Sequence, residues 1–463
     1  MNFLSLNAQK WAPVGVGFDR PPVLYTDTFN DLLYAGGQPK YSADSILLRG
    51  IASYDGNQLK PLNKASSTCG FNFCSFAQVM QFYKGALFVK AFNETLEDTI
   101  NALGLASWNG NQWSSVGGGV RYDDTGSGDI REMVVHNNRL HVAGSFRYAG
   151  NVLANKVAAW DGNKWTSVDS DTSFWTKQSW IETLAFYRDE LYIGGTFRTE
   201  DKSIHDVARW DGSTWQPVGT TYTMFDEGLI TDMIVYKDEL YIGGFFLEPN
   251  SPGNFVARWN GTNWNRVGDG LRHSSGGGFV SKMEIVNDKL LITGMFDQAG
   301  DIPVDNIVTW DGLRWCTFDT TNSFGSQIPV DHFTYFRDTF YIETAEYLNG
   351  DTMNYFAKWN GSLDPVSCSK EYPLSIYDNE GIVTTNEFRI YPNPANQELR
   401  IILSQEGTER LSWQVTDMNG KQYDRSVLHQ SRNTEAILNT AELPPGIYFL
   451  NINGKYARFG VVR

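Results

Sequence analysis

The chain is poor in the residues that carry most familiar chemistries. Its 463 residues include four cysteines and six histidines, with no CxxC pair and no Cys/His zinc spacing, so neither a metal nor another cofactor is expected. Basic residues are also few, 38 Lys and Arg against 53 Asp and Glu, for a formal charge of −15. That balance argues against nucleic acid as a partner, because phosphate binding needs clustered cations. No stretch approaches 18 consecutive apolar residues, so no helical membrane span is expected. Charged residues make up only 20%, too few for a disordered or coiled-coil chain. What the chain does have is 15 Trp, 22 Tyr, 28 Phe and 44 Gly. That mixture favours short strands joined by many glycine turns.

The tryptophans are periodic. The hexapeptide Trp-[Asp/Asn]-Gly-x-x-Trp begins at Trp108, Trp160, Trp210, Trp259 and Trp310, with worn copies at Tyr54 and Trp359. Seven copies at a spacing of roughly 50 residues identify a repeat architecture. Within one repeat, Asp232–Tyr236 and Glu239–Gly244 flank a tight turn, and Phe255–Trp259 and Asn263–Val267 flank Asn260-Gly261. Asn-Gly and Asp-Gly between β-rich segments predict type I′ hairpins, so each repeat is two hairpins, or four antiparallel strands. Paired glycines such as Gly194-Gly195 and Gly243-Gly244 suit close backbone approach, and the Trp pair suits packing between units.

Four-stranded units of this length stack radially into a β-propeller. Trp11-Ala-Pro-Val-Gly15 repeats Trp215-Gln-Pro-Val-Gly219 almost letter for letter, an outer strand with no unit before it. The expectation is a seven-bladed ring closed by Trp11–Gly15, with the weaker candidate Leu363–Val366 leaving the sheet. The repeat around Gly144-Ser-Phe-Arg-Tyr-Ala-Gly150 and Lys156–Trp165 resembles the kelch and galactose-oxidase-like propeller repeats, over about residues 11–366.

The chain changes character near residue 388. Beyond it the net charge is +2, against −17 before it, and only one of the 15 Trp remains. Short alternating strands with Asn-Gly and Pro-Gly turns predict a small immunoglobulin-like β-sandwich. Tyr391-Pro392-Asn393-Pro394, the turn ending Gly420-Lys421, and Gly446-Ile-Tyr448 resemble the type A C-terminal sorting domain of the type IX secretion system. The resemblance implies export and release or surface attachment, with the secretion machinery as partner of residues 388–463. Residues 1–10 then read as a signal-peptide remnant or frayed terminus, and 367–387 as a linker. An oxidising compartment would let Cys69 and Cys74 close a small loop. Cys316 and Cys368 would tie neighbouring blades or the exit linker.

Function has to be read from sites, since propellers host many activities. The turns between first and second strands, and between third and fourth, are tight. The remaining connections are long and share the opposite face, where a ligand site is expected. They carry Phe174, Trp175, Trp180, Tyr222 and Phe225 beside Asp171 and Asp226, a pattern suited to stacking on sugar rings with hydroxyls bonded at the edge. Aligned first strands give a polar column of Glu132, Thr183, Asp232, Lys282 and His332, expected at the channel mouth. The preferred reading is a secreted or surface binding protein for a glycan or protein. The alternative is a polysaccharide hydrolase or lyase using Glu132, Asp232 and His332. The copper site of galactose oxidase needs two His and a Cys-linked Tyr, and no motif here supplies them.

Overall fold

A computed structural model describes residues 11–372 except loops at 63–76, 170–178, 220–227, 247–253, 319–328 and a few shorter stretches, together with most strands between 388 and 461. The described residues are all strand, turn and loop, without a helix. They fall into two units, Met1–Asp311 with Trp315–Ser369, and Gly312–Arg314 with Lys370–Arg463.

The first unit holds seven main antiparallel sheets, and these are the blades. Their first strands are Pro22–Asp27, Met80–Tyr83, Asp129–His136, Trp180–Tyr187, Leu229–Tyr236, Phe279–Val286 and Phe333–Phe336, in blades 1 to 7. First strands of successive blades touch from blade 7 through blade 1 to blade 6, and Lys282 of blade 6 donates to the Phe333 carbonyl of blade 7. The outer strand of blade 7 is Trp11–Pro13, with Trp11 opposite Trp359. Leu363–Val366 stays outside that sheet, and the chain instead adds Ser367–Cys368 to the outer edge of blade 6. There Cys316 and Cys368 face each other across the ladder and form a disulfide. It ties the exit segment to blade 6 and does not join two blades. Cys69 and Cys74 lie outside the described residues.

The apolar core lies between blades. One cluster joins Tyr83 and Val116 of blade 2 to Met133, Leu140, Trp160 and Trp165 of blade 3, and analogous clusters lie between blades 3 and 4 and between blades 4 and 5. The two Trp of each hexapeptide pair across their own hairpin, as Trp160 with Trp165, ring centroids 5.1 Å apart. Two of the second tryptophans also donate to a carbonyl of the blade before, Trp165 to that of Val116 and Trp264 to that of Val218.

The hairpin chemistry differs from the expected one. Trp160 opposes Trp165, so Asp161–Lys164 form a four-residue loop, not a two-residue type I′ turn. Its Asp161 carboxylate accepts from the amides of Asn163 and Lys164, and Asp55, Asn109, Asp211 and Asn260 do the same. An Asx side chain closes the loop here. The type I′ signature, positive φ at both central residues, belongs to the other hairpin: Asn137-Asn138, Arg188-Asp189, Lys237-Asp238, Asn287-Asp288 and Arg337-Asp338.

The Ala-Gly motif of Tyr148-Ala149-Gly150 forms a small satellite sheet with Val120–Arg121 and Val152–Leu153, and Gln298-Ala299 builds a second one in blade 6. The second unit consists of two four-stranded antiparallel sheets, with Ile401, Val415, Leu438 and Leu450 buried.

Candidate functional site at the channel mouth

A β-bulge shapes the channel. In blades 3 to 6 the pairing of first and second strands slips at one place, between Ile130 and Glu132, Ile181 and Thr183, Ile230 and Asp232, and Val280 and Lys282. A regular strand sends successive side chains to opposite faces. A bulge breaks that alternation, so two consecutive residues reach the lumen: Arg131 and Glu132, Thr231 and Asp232, Ser281 and Lys282. Opposite each bulge stands a glycine, Gly144, Gly195, Gly244 or Gly294. A Cβ on Gly244 would lie 2.0 Å from the Leu229 carbonyl oxygen, and one on Gly195 2.2 Å from that of Trp180.

All seven blades line the resulting cavity of about 450 Å³. Of the predicted column, Glu132, Asp232, Lys282 and His332 line it. Thr183 is fully buried instead, and the bulge residue Glu182 takes its place. Polar links tie neighbouring blades around the lumen. The Phe82 amide donates to Tyr25 at 2.9 Å, Lys90 pairs with Asp129 at 2.5 Å, and Arg131 reaches Glu182 at 3.4 Å. Asp232 accepts from its neighbour Met233 at 2.8 Å and from Met283 of the next blade at 2.6 Å. Ser281 donates to Asp331 at 2.7 Å, and Thr26 bonds Thr334.

Glu132 and Asp232 keep a little solvent contact on the lumen side, yet protein surrounds them otherwise. Burial pushes the Glu132 carboxyl up to about 8, and the charge on Asp232 adds to the rise. Burial also raises Asp232, to about 6, against the lowering effect of the Met283 amide and Lys282. At neutral pH the pair therefore holds a protonated Glu132 and an ionised Asp232, the division of states a general acid and base require. His332 is engaged through Nδ1 with Glu343 at 2.6 Å.

At the rim, Trp180 begins the first strand of blade 4 and is 50% exposed. The Arg131 guanidinium lies 5.6 Å from its ring centroid and is held by Asp129 at 2.7 Å. Phe245 of blade 5 is also exposed at 42%, at the same end of its blade, since it pairs with Leu229. No sequence pattern marks Arg131, Glu182 or Phe245. In Gly-Gly-Phe245-Phe246 strand alternation points one ring inward, and Phe246 is that one. Phe174, Trp175, Tyr222, Phe225, Asp171 and Asp226 lie outside the described residues. Among the described residues no three His, Cys, Asp or Glu side chains gather as metal ligands.

In the second unit, the Lys421 amide donates to the Asp417 carboxylate at 3.0 Å, closing the turn. Tyr448 is buried, packs edge-on against Tyr423 and donates to the Pro444 carbonyl at 2.7 Å. Tyr391 ends the strand Phe388–Tyr391 and Gly446 begins Gly446–Ile452, while Pro392, Asn393, Pro394 and Gly420 lie outside the described residues. Residues 389–459 match the secretion system C-terminal sorting domain. The C-terminal segment is a type IX sorting domain. The protein is thus secreted or attached to the cell surface.

No curated protein matches the chain. Among solved structures, that of YjhT is 14% identical with a TM-score of 0.34, covering 64% of this chain and 96% of its own. A Bacteroides thetaiotaomicron protein of unknown function is 9% identical, with a TM-score of 0.32, covering 73% and 98%. Trypanosoma rangeli sialidase in complex with sialic acid is 10% identical, with a TM-score of 0.29, covering 98% and 93%.

Proposed function

We propose that this exported propeller is a binding protein that takes a glycan on its long-loop face, at the rim of the channel. The observation carrying this reading is the half-exposed Trp180 beside the ion-paired Arg131 and Glu182 at the edge of a polar cavity. An aromatic face stacks on the C–H surface of a sugar, and flanking charged groups bond its hydroxyls. The 450 Å³ lumen is within the size range of small-ligand sites. The predicted loop residues Phe174, Trp175, Tyr222 and Phe225, with Asp171 and Asp226, belong to the same proposed surface. Titration of the whole protein with polysaccharides identified on a glycan array tests the reading, with Trp180→Ala expected to weaken binding at least tenfold.

A second reading is favoured by the carboxylate pair. Glu132 as acid and Asp232 as base would suit hydrolysis of a glycosidic bond within the lumen, with His332 oriented by Glu343. Reducing-end release from the bound polysaccharide would support it if lost in both Glu132→Gln and Asp232→Asn. Binding without release would leave the protein a binder.

A further inference from the structure

The face opposite the long loops carries a second cavity, left by one irregular repeat. At five described junctions, an aromatic residue ends the first strand of a blade and a second aromatic stands on its second strand. These pairs are Tyr83 with Phe88, His136 with His141, Tyr187 with Tyr192, Tyr236 with Tyr241, and Phe336 with Tyr341, at centroid separations of 5.6 to 6.4 Å. Three of the strand-end rings are phenols that donate to the second turn residue of the next blade. Tyr83 bonds the Asn138 carbonyl at 2.8 Å, Tyr187 that of Asp238 at 3.0 Å, and Tyr236 that of Asp288 at 2.8 Å. At the junction of blades 3 and 4 the ring is His136, stacked on Phe186 of the next blade at 3.8 Å and 10°.

Blade 6 breaks this rule twice. Its strand-end residue is Val286 and the partner on the second strand is Leu291. Both line a cavity of about 300 Å³, whose other walls include Tyr335, Phe340 and Trp359 of blade 7, and Asp338. Asp338 is the second turn residue of blade 7, so its carbonyl is the counterpart of those that accept from tyrosines elsewhere. Tyr335, next to the last residue of its strand, is the counterpart of the Phe186 ring. The cavity also opens because blade 7 takes its outer strand from the N-terminus. Gly361–Asp364, freed from making a hairpin, border it instead. Roughly 150 Å³ accommodates a benzene-sized ring, so this space holds a substituted one.

We propose that the cavity between blades 6 and 7 is a binding site for a para-substituted phenol. The ring lies on Tyr335 against Val286, Leu291 and Trp359, and its hydroxyl donates to the Asp338 carbonyl. The molecule's own filled junctions define this chemistry: an aromatic ring for the apolar side of the cavity and one donor for one carbonyl, while Asn287, Lys289, Thr309, Ser362 and Asp364 form its polar side. The phenol is either a free small molecule or a tyrosine side chain presented by a partner.

Calorimetric titration of the full chain with p-cresol tests the site, with toluene as the ring lacking the donor. Saturable one-to-one binding of p-cresol is expected, at least tenfold tighter than toluene. Val286→Tyr, which rebuilds the missing ring, is expected to weaken p-cresol at least tenfold. Absence of saturable p-cresol binding, equal affinity for toluene, or unchanged affinity in Val286→Tyr overturns the proposal. Should that variant not fold, a crystal of the unaltered protein soaked in p-cresol decides. A ring between Val286 and Tyr335 supports the site, and a ring elsewhere overturns it. N-acetyl-tyrosinamide separates the sources: comparable affinity points to a partner's tyrosine, exclusion to a free phenol.

Discussion

Glu132 shows how a single side chain couples fold to pH. Its proton leaves near pH 8 in the folded protein and near 4.5 in an exposed chain. Between those values the unfolded chain sheds a proton that the native one keeps, so this group makes stability fall as pH rises. Glu132→Gln removes the penalty. The variant is expected to exceed the parent by about 1–3 kcal/mol at pH 8 and to match it near pH 4.5, as read by urea unfolding at both. Parallel stability–pH curves would contradict the assignment. Alignment of the repeats was enough to find Glu132, Asp232, Lys282 and His332. Arg131 and Glu182 were hidden because strand alternation places them on the far side of Glu132 and Thr183, and only the bulge brings them round. Trp180 was legible as an exposed aromatic, but its Arg131 partner lies on another blade, 49 positions away, and no local pattern connects the two.

Among the elements, the bulged first strand and the glycine facing it form a unit. Gly244 leaves room for the Leu229 carbonyl, which an added methyl would meet at 2.0 Å. Gly244→Ala is expected to cost about 2–4 kcal/mol by overpacking, whereas Gly212→Ala, with open space around it, costs about 1 kcal/mol through its positive φ alone. Equal losses in denaturant titrations would remove the role given to the close approach. The two-hairpin repeat is plain from spacing, but Asn-Gly and Asp-Gly point to type I′ turns in the wrong hairpin. Asn-Gly and Asp-Gly serve equally in an Asx-closed four-residue loop, while the true type I′ turns use Arg-Asp, Lys-Asp and Asn-Asp. Those pairs carry no glycine to announce them. The exit strand Ser367–Cys368 is too short to bear a pattern, and the disulfide marks it. Closing a loop of 52 residues contributes about 4 kcal/mol in the chain-entropy view. Cys316→Ser with Cys368→Ser is therefore expected to lower stability by up to that amount without unmaking the blades, with retained far-ultraviolet circular dichroism as the check.

At the scale of the molecule, the ring depends on a contact between its ends. Trp11 is 2% exposed and packs against Trp359 at 4.9 Å and Phe340 at 6.0 Å. Trp11→Ala is expected to cost about 3–5 kcal/mol, and more than Trp180→Ala, whose ring is half in solvent; the reverse order would be incompatible with closure through the N-terminal strand. Near-identity of Trp11–Gly15 with Trp215–Gly219 made this closure readable from sequence. The ligand was not readable, because stacking sites form from residues of different blades on loops whose geometry no repeat fixes. The most direct test of the account is equilibrium binding of the whole protein, unaltered and as Trp180→Ala, to array-selected polysaccharides. The account predicts saturable binding to a glycan that the substitution weakens at least tenfold while thermal stability is kept. Binding that is absent, or indifferent to Trp180, would contradict it.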